Sequence, residues 1–293
     1  MKTIFAALTI ALTLPGVSQA AEPKLKVTTL AENIYMLSGK GGGNIGVMTG
    51  PDGTFVIDDQ LEKTVPVLLK TIEDLGGTIP PRFVLNTHYH RDHTGGNKVL
   101  QNKDTTIISQ INTRKRLADD THIKAFNVTN KALPDNALPN VTFTKKMQFD
   151  LNGNRIDAVY FPRAHSDGDS VVYFKDANIV HTGDLFFNGM YPFIDVDNGG
   201  SILGLIAAVQ KLIATTDENT KIIPGHGPLA SRADLIAFQD MLTFSNASVI
   251  DLKKEGKTLE QAIKADPLVD YDKKWSGGIF STDKWLELLY TAP

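Results

Sequence analysis

The chain has 293 residues, a formal charge of −3 and no cysteine. Without cysteine there are no disulfides and no lipid-modified cysteine, so the fold must rest on its apolar core. The slightly acidic balance, with no basic block beyond Arg114-Lys115-Arg116, argues against nucleic acid as a partner.

The first twenty residues read as a signal peptide. Lys2 supplies the charged start, residues 4–14 the apolar stretch and Pro15-Gly16 the break; Ser18 and Ala20 give a small-x-small cleavage pattern, with cleavage after Ala20 or one residue later. An apolar run of eleven residues falls short of the roughly 18–20 that span a bilayer. Stable membrane insertion is therefore not expected, whereas export to a periplasmic or extracellular, oxidising compartment is. Loss of Lys2 would take the charge from −3 to −4. Residues 21–293 are expected to form a single domain, since no linker or second core is visible.

Short strand-like runs open this part at 34–37, 45–48 and 55–57, and Pro51-Asp52-Gly53 makes the last two a hairpin. Val65, Leu68, Leu69, Ile72 and Leu75 follow at helical spacing and are closed by Gly76-Gly77. Residues 83–85 and 106–108 read as buried strands, and 111–117 begin a helix. The polar stretch 119–140 reads as a long surface loop. Strands resume at 141–143, 147–151, 155–161, 171–174 and 179–181. Ile202, Leu205, Ile206, Val209, Leu212 and Ile213 trace one face of an amphipathic helix. A strand at 221–223 precedes Ser231 and Asp234, spaced as a capping box. The last forty residues read as helical, with Trp275, Phe280 and Trp285 available for packing. Strands followed by helices, twice over, predict two sheets face to face with helices outside, an αββα sandwich of mixed α/β class.

Three of the seven histidines fall in "NTHYHRDHTGGN", residues 86–97. His88 and His90 stand two apart at a strand end, so both rings project to one side of extended chain. That arrangement suits two imidazoles on one ion. Asp92 and His93 come where the chain turns, and are expected to face a second ion. His165 in "AHSDGDS", Asp184 closing "IVHTGD" and His226 in "PGHG" each follow a predicted strand. Recurrence of metal-ligating residue types at four strand-to-loop junctions points to one gathered metal site.

In these residues and their order the sequence resembles the metallo-β-lactamase superfamily. The resemblance implies the αββα sandwich with a site at one edge. It implies His88, His90 and His165 on a first metal, Asp92, His93 and His226 on a second, and Asp184 bridging them. It also implies that Asp58, ending "FVID", is a buried carboxylate supporting the metal loop. The cofactors implied are two Zn2+ ions, and the activity is hydrolysis of a small-molecule cyclic amide or ester by a metal-bridging hydroxide that Asp92 orients. Two departures bear on the substrate. Asp184 stands where true β-lactamases carry Cys or Ser, as in glyoxalase II and lactone hydrolases, and Phe187 stands where many carry a Lys that grips the drug carboxylate. Glyoxalase II has a longer helical domain after its last histidine, unlike this carboxyl-terminal region.

Lactone, thioester and β-lactam bonds all stay open as substrates. Two other readings remain beside hydrolysis: a persulfide dioxygenase with one Fe2+ ion on His88, His90 and Asp184, and a metal-binding protein without chemistry. A nuclease is disfavoured by export and charge. His122, in the polar stretch, is expected to be solvated. His181, three residues before Asp184 on a strand, is expected to point away from the metals and pack with a hydrogen bond. Tyr191, Phe193 and Trp275 are either pocket or core.

Overall fold

Strand alternation divides most of the buried apolar residues of this chain among three cores, as seen in a computed structural model that describes residues 24–292. The expected signal segment lies outside the described residues. Strands β1 (Leu25–Ala31), β2 (Ile34–Gly39), β3 (Ile45–Met48) and β4 (Phe55–Ile57) form an antiparallel meander. Helix α1 (Val65–Asp74) crosses over to β5 (Phe83–Asn86), and the short turns α2 (Arg91–Thr94) and α3 (Asn97–Leu100) lead into β6 (Thr106–Gln110) and α4 (Ile111–Ala118). After a small hairpin of β7 (Thr121–Ile123) and β8 (Val128–Asn130), β9 (Val141–Phe143) completes a seven-stranded sheet. In it β4, β5, β6 and β9 run parallel.

The second sheet has five strands: β10 (Lys146–Leu151), β11 (Asn154–Tyr160), β12 (Ser170–Phe174), β13 (Ile179–His181) and β14 (Lys221–Ile223). Helix α5 (Ile202–Ala214) joins β13 to its parallel neighbour β14. Helices α6 (Arg232–Lys254), α7 (Leu259–Ala265), α8 (Val269–Trp275) and α9 (Thr282–Thr291) follow. The expected capping box opens α6: Ser231 Oγ accepts from the Asp234 amide, and the Asp234 carboxylate accepts from the Ser231 amide at 2.9 Å. Among the described residues, no helix is long and apolar enough to cross a membrane.

Side-chain alternation shows how the layers stack. Phe55, Ile57 and Leu85 of the first sheet meet Val172, Phe174 and Ile223 of the second in the inter-sheet core. Their neighbours Val56 and Val84 turn outward against Val65, Leu68 and Ile72 of α1. Val171 and Tyr173 likewise turn outward, into the core with Leu205 and Val209 of α5 and Phe238 of α6. Helices therefore cover both outer faces, and the αββα reading holds.

Two elements differ from expectation. Residues 119–140 are not a structureless loop, because β7 and β8 pair there, turning through Asn127 at φ 50°. Strands of three residues are too short to show a period-two pattern. Strand β1 was also unmarked: only Leu30 of it is fully buried, so its sequence carries no alternation strong enough to read.

The architecture brings one set of strand ends together. Asp58 follows β4, the histidine motif follows β5, Asp184 follows β13 and His226 follows β14. Helix α5 is seated directly on the loop that carries His165. A Cβ at Gly200 would stand 2.3 Å from the His165 carbonyl oxygen, and one at Gly204 would stand 1.7 Å from that of Arg163. Alanine in a helix ordinarily gains up to about 1 kcal/mol over glycine. Here overpacking, which costs about 1–3 kcal/mol, opposes that gain. Gly204→Ala is therefore expected to lower stability by about 1–2 kcal/mol, measured by urea unfolding of the metal-free protein. A raised unfolding midpoint would show that α5 does not press on this loop.

Candidate metal centre

Beyond β5 the chain bends through residues 87–89 rather than staying extended, and still brings the rings of His88 and His90 together. His88 Nε2 lies 3.0 Å from His90 Nδ1, and His165 Nε2, from the loop between β11 and β12, lies 2.9 Å from that same Nδ1. Asp184 sits in the tight turn Gly183–Leu185 after β13. Its Oδ2 is 3.7 Å from His88 Nε2 and 3.5 Å from His165 Nε2. All four residues are buried and converge as one donor cluster.

Asp92 and His93, in α2, face the other way and meet His226 in a second cluster. His93 Nε2 and His226 Nε2 are 3.3 Å apart, and Asp92 Oδ2 lies 3.6 Å from the first and 3.3 Å from the second. Asp184 Oδ1 lies 3.1 Å from His93 Nε2 and 3.5 Å from His226 Nε2. One carboxylate thus turns one oxygen to each cluster. Gly225 makes room for it, since a Cβ there would stand 2.0 Å from Asp184 Oδ1.

Hydrogen bonds on the outer side of the rings fix which nitrogens face inward. His165 Nδ1 donates to the Phe193 carbonyl at 2.9 Å. His90 Nε2 donates to Asp195 Oδ2 at 2.9 Å. Thr87 Oγ1 gives its proton to Asp58 Oδ2 at 2.8 Å, so it accepts from His88 Nδ1 at 3.1 Å. His93 Nδ1 donates to Asp58 Oδ2 at 2.7 Å. A neutral imidazole has one N–H. Those of His88, His90 and His165 are directed outward, so three bare nitrogens meet at about hydrogen-bond distance with no proton between them.

A cation resolves that contact. Donors at about 2.0–2.1 Å around a tetrahedral ion stand roughly 3.4 Å apart, and both clusters scatter about this spacing. Asp184 Oδ1 is buried and, although close to His93 Nε2, makes no hydrogen bond of acceptable geometry. The two clusters are compatible with one or two metal ions.

The electrostatics agree. Burial and the neighbouring His93 push His88 well below the usual imidazole range, and burial takes His165 down to about 4. Both stay neutral, as metal ligands must be. Burial would also depress His226, but Asp184 and Asp92 outweigh it and raise the ring to about 9. His93 is raised in the same way by Asp184, Asp92 and Asp58. Burial would raise Asp92, yet His93 and His226 hold it at about 2. The second cluster is a carboxylate-rich pocket that demands positive charge.

The sequence-predicted residues therefore all come together. Asp58 is fully buried, with positive φ of 60°, and also accepts from the Thr87 amide at 2.7 Å. It ties β4 to the metal loop, as the resemblance implied. His122 is exposed, and its Nδ1 lies 3.0 Å from Thr129 Oγ1. His181 is buried and turned away from the clusters, donating to the Asn44 carbonyl at 3.1 Å. Of the three undecided aromatics, Tyr191 and Trp275 belong to the core. Phe193 belongs to the same core and also packs against His90 and His165, with ring centroids 5.5 and 5.7 Å away. Phe187 is buried and stacks on His226 at 5.0 Å.

Sequence reasoning missed three contributors. Asp195 orients His90 and also accepts from the Tyr89 hydroxyl, while Asn198 Nδ2 donates to its other oxygen at 2.8 Å. Thr87 links Asp58 to His88. The third is the glycine run 41–43: the Gly43 amide donates to the Asp92 carbonyl at 3.0 Å, and a Cβ at Gly43 would stand 2.1 Å from His93 Cε1. Only glycine lets this backbone lie on the ring. The run of three glycines in "GKGGGN" was the available signal.

Comparison with known proteins places this geometry. The family model described as metallo-beta-lactamase superfamily matches residues 38–226. A curated relative, "Probable metallo-hydrolase YqgX" of Bacillus subtilis (strain 168), is 28% identical over 174 residues, covering 57% of this chain and 77% of its own. A metallo-beta-lactamase from Pontibacter korlensis superposes with a TM-score of 0.61 at 20% identity, over 75% of this chain and 99% of that one. The sec-alkylsulfatase Pisa1 from Pseudomonas sp. superposes with a TM-score of 0.65 at 14% identity, over 91% of this chain and 50% of that longer one. The fold, the two His/Asp clusters and the extent of the family match agree: this chain belongs to the metallo-β-lactamase superfamily and is built as a metal-dependent hydrolase.

Proposed function

We propose that this chain is an exported hydrolase with two zinc ions that opens an amide or ester bond of lactone, thioester or β-lactam type in a small molecule. The observation that carries the reading is Asp184, one of whose oxygens lies 3.5–3.7 Å from the His165 and His88 nitrogens and the other 3.1–3.5 Å from those of His93 and His226. His88, His90 and His165 would hold one ion, Asp92, His93 and His226 the other, and Asp184 both. Bound there, the ions would supply Lewis acidity that brings the pKa of water near neutrality and polarises a carbonyl. A second complete cluster favours this reading over a single iron on His88, His90 and Asp184. Export is supported by the Lys2, apolar and Ser18-x-Ala20 pattern of the amino terminus.

The chain's own groups do the positioning. Asp92 is about one-third exposed (34%) while His93 beside it is buried, so its carboxylate reaches the substrate side. Held ionised by His93 and His226, it can accept a hydrogen bond from the attacking water and aim it. Phe193 and Phe187 cover the imidazoles with apolar surface and exclude bulk water, which strengthens electrostatic interactions in the site.

The direct test is hydrolysis by zinc-loaded protein on lactone, thioester, aryl ester, β-lactam and secondary alkyl sulfate substrates. His88→Ala and His165→Ala are expected to abolish turnover of whichever bond is opened, and His122→Ala to leave it near wild type. No turnover on any member, or one iron per chain with oxygen consumption, would overturn the reading.

Asp195 gives a second prediction. A buried partner that orients a ligand histidine is typically worth about 10–100-fold in metal affinity. Asp195→Ala is expected to weaken zinc binding by that factor, read by competition with a fluorescent chelator. Unchanged affinity would remove Asp195 from the support of His90.

A further inference from the structure

The chain is net negative, yet it gathers several cations at one place. Lys24 and Lys26 at the start of β1, Lys40 in the turn after β2 and Lys63 just before α1 line one open groove of about 1510 Å³. The same groove is lined by Asp92 and His226, so it opens onto the second cluster. All four lysines are exposed. None is among the lysines that lie within 4 Å of a carboxylate among the described residues. Asp92 is the one acidic residue lining the groove.

Chain topology, not local sequence, sets this arrangement, for the lysines come from three separate segments. Lys40 is held near the site by the glycine run that follows it. Gly43 is fastened by its amide to the Asp92 carbonyl and by its own carbonyl to Gln60 Nε2 at 2.6 Å. The positive potential of the groove comes from these four lysines, on β1, after β2 and before α1, and a cleft lined mainly by one sign of charge concentrates ligands of the other.

We propose that the substrate is an organic acid ester, lactone or amide whose carboxylate lies in this lysine groove while its scissile bond lies over Asp92 and His226. The inference rests on the hydrolase reading above and names its substrate class. Lysines are mobile point charges without the planar fork of arginine. Recognition here selects charge more than shape, and it weakens with salt.

The test uses zinc-loaded protein and two esters with the same leaving group, the anionic mono-p-nitrophenyl glutarate and the neutral p-nitrophenyl valerate. Three exposed pairs at the modest strength of surface ion pairs multiply to about tenfold. The triple variant Lys26→Gln, Lys40→Gln, Lys63→Gln is thus expected to lose tenfold in kcat/KM on the glutarate ester, mainly through KM, and little on the valerate ester. A control triple on the far helices, Lys253→Gln, Lys254→Gln, Lys264→Gln, is expected to change neither. Equal losses on both esters, or none on the anionic one, would overturn the proposal. Glutarate binding by calorimetry separates this inference from the hydrolase reading. If neither ester is cleaved, the hydrolase reading fails for esters, and glutarate affinity alone decides the groove. A tenfold weaker affinity in the groove triple than in wild type upholds it, and equal affinities overturn it.

Discussion

Three imidazoles can present bare nitrogens to one centre, and a fourth can face its neighbour, only if something outside holds their outer protons. In this protein that holding is done by Asp58, Thr87, Asp195 and the Phe193 carbonyl, each accepting a hydrogen bond from the far side of a ring or relaying one. Asp58 is the central member, because it accepts from the Thr87 amide, the Thr87 hydroxyl and His93 at once. It stands at the end of β4 and reaches the loop after β5, so the parallel pairing of these strands is also what aims two ligands. A change in the β4–β5 register would move both His88 and His93, which links the sheet directly to the donor geometry.

Holding so many polar groups in the interior is costly for the chain alone. Asp58, Asp59, Asp184 and five histidines are buried or nearly so, and Asp59 is pushed well above the usual carboxylate range by burial and by the adjacent Asp58. Metal binding offsets such a cost, because a ligand that binds only the folded chain adds its binding free energy to folding. Folding and function are then coupled at one place. The apolar layers set the strand ends, and the ions that the strand ends hold would return stability to the loops between them.

Much of this was legible in the sequence, for identifiable reasons. HxHxDH is compact and follows a strand end, so His88, His90, Asp92 and His93 could be assigned to two sides from sequence, although the chain there bends at 87–89 instead of running extended. Asp184 and His226 were readable because each follows a short apolar strand. Asp195 was not, since 105 residues separate it from His90. Its neighbour Asp197 carries the same side chain and points to solvent, where it pairs with Lys124 at 2.7 Å. The lysine groove was equally hidden, because only the folded sheet brings residues 24, 26, 40 and 63 to one cleft. Phe187 offers no cation at its position, whereas the folded sheet gathers these lysines from other segments. The β7–β8 hairpin escaped notice because three-residue strands have no periodicity to detect.

The central claim is that Asp184 joins two metal ions rather than closing a site for one. X-ray absorption at the zinc edge, with total metal measured on the same sample, tests it most directly. The expected result is two zinc ions per chain with a metal–metal scattering distance of about 3.5–4 Å, and loss of that vector in Asp184→Asn. A single bound ion in wild type under excess zinc, with no metal–metal vector, would contradict it.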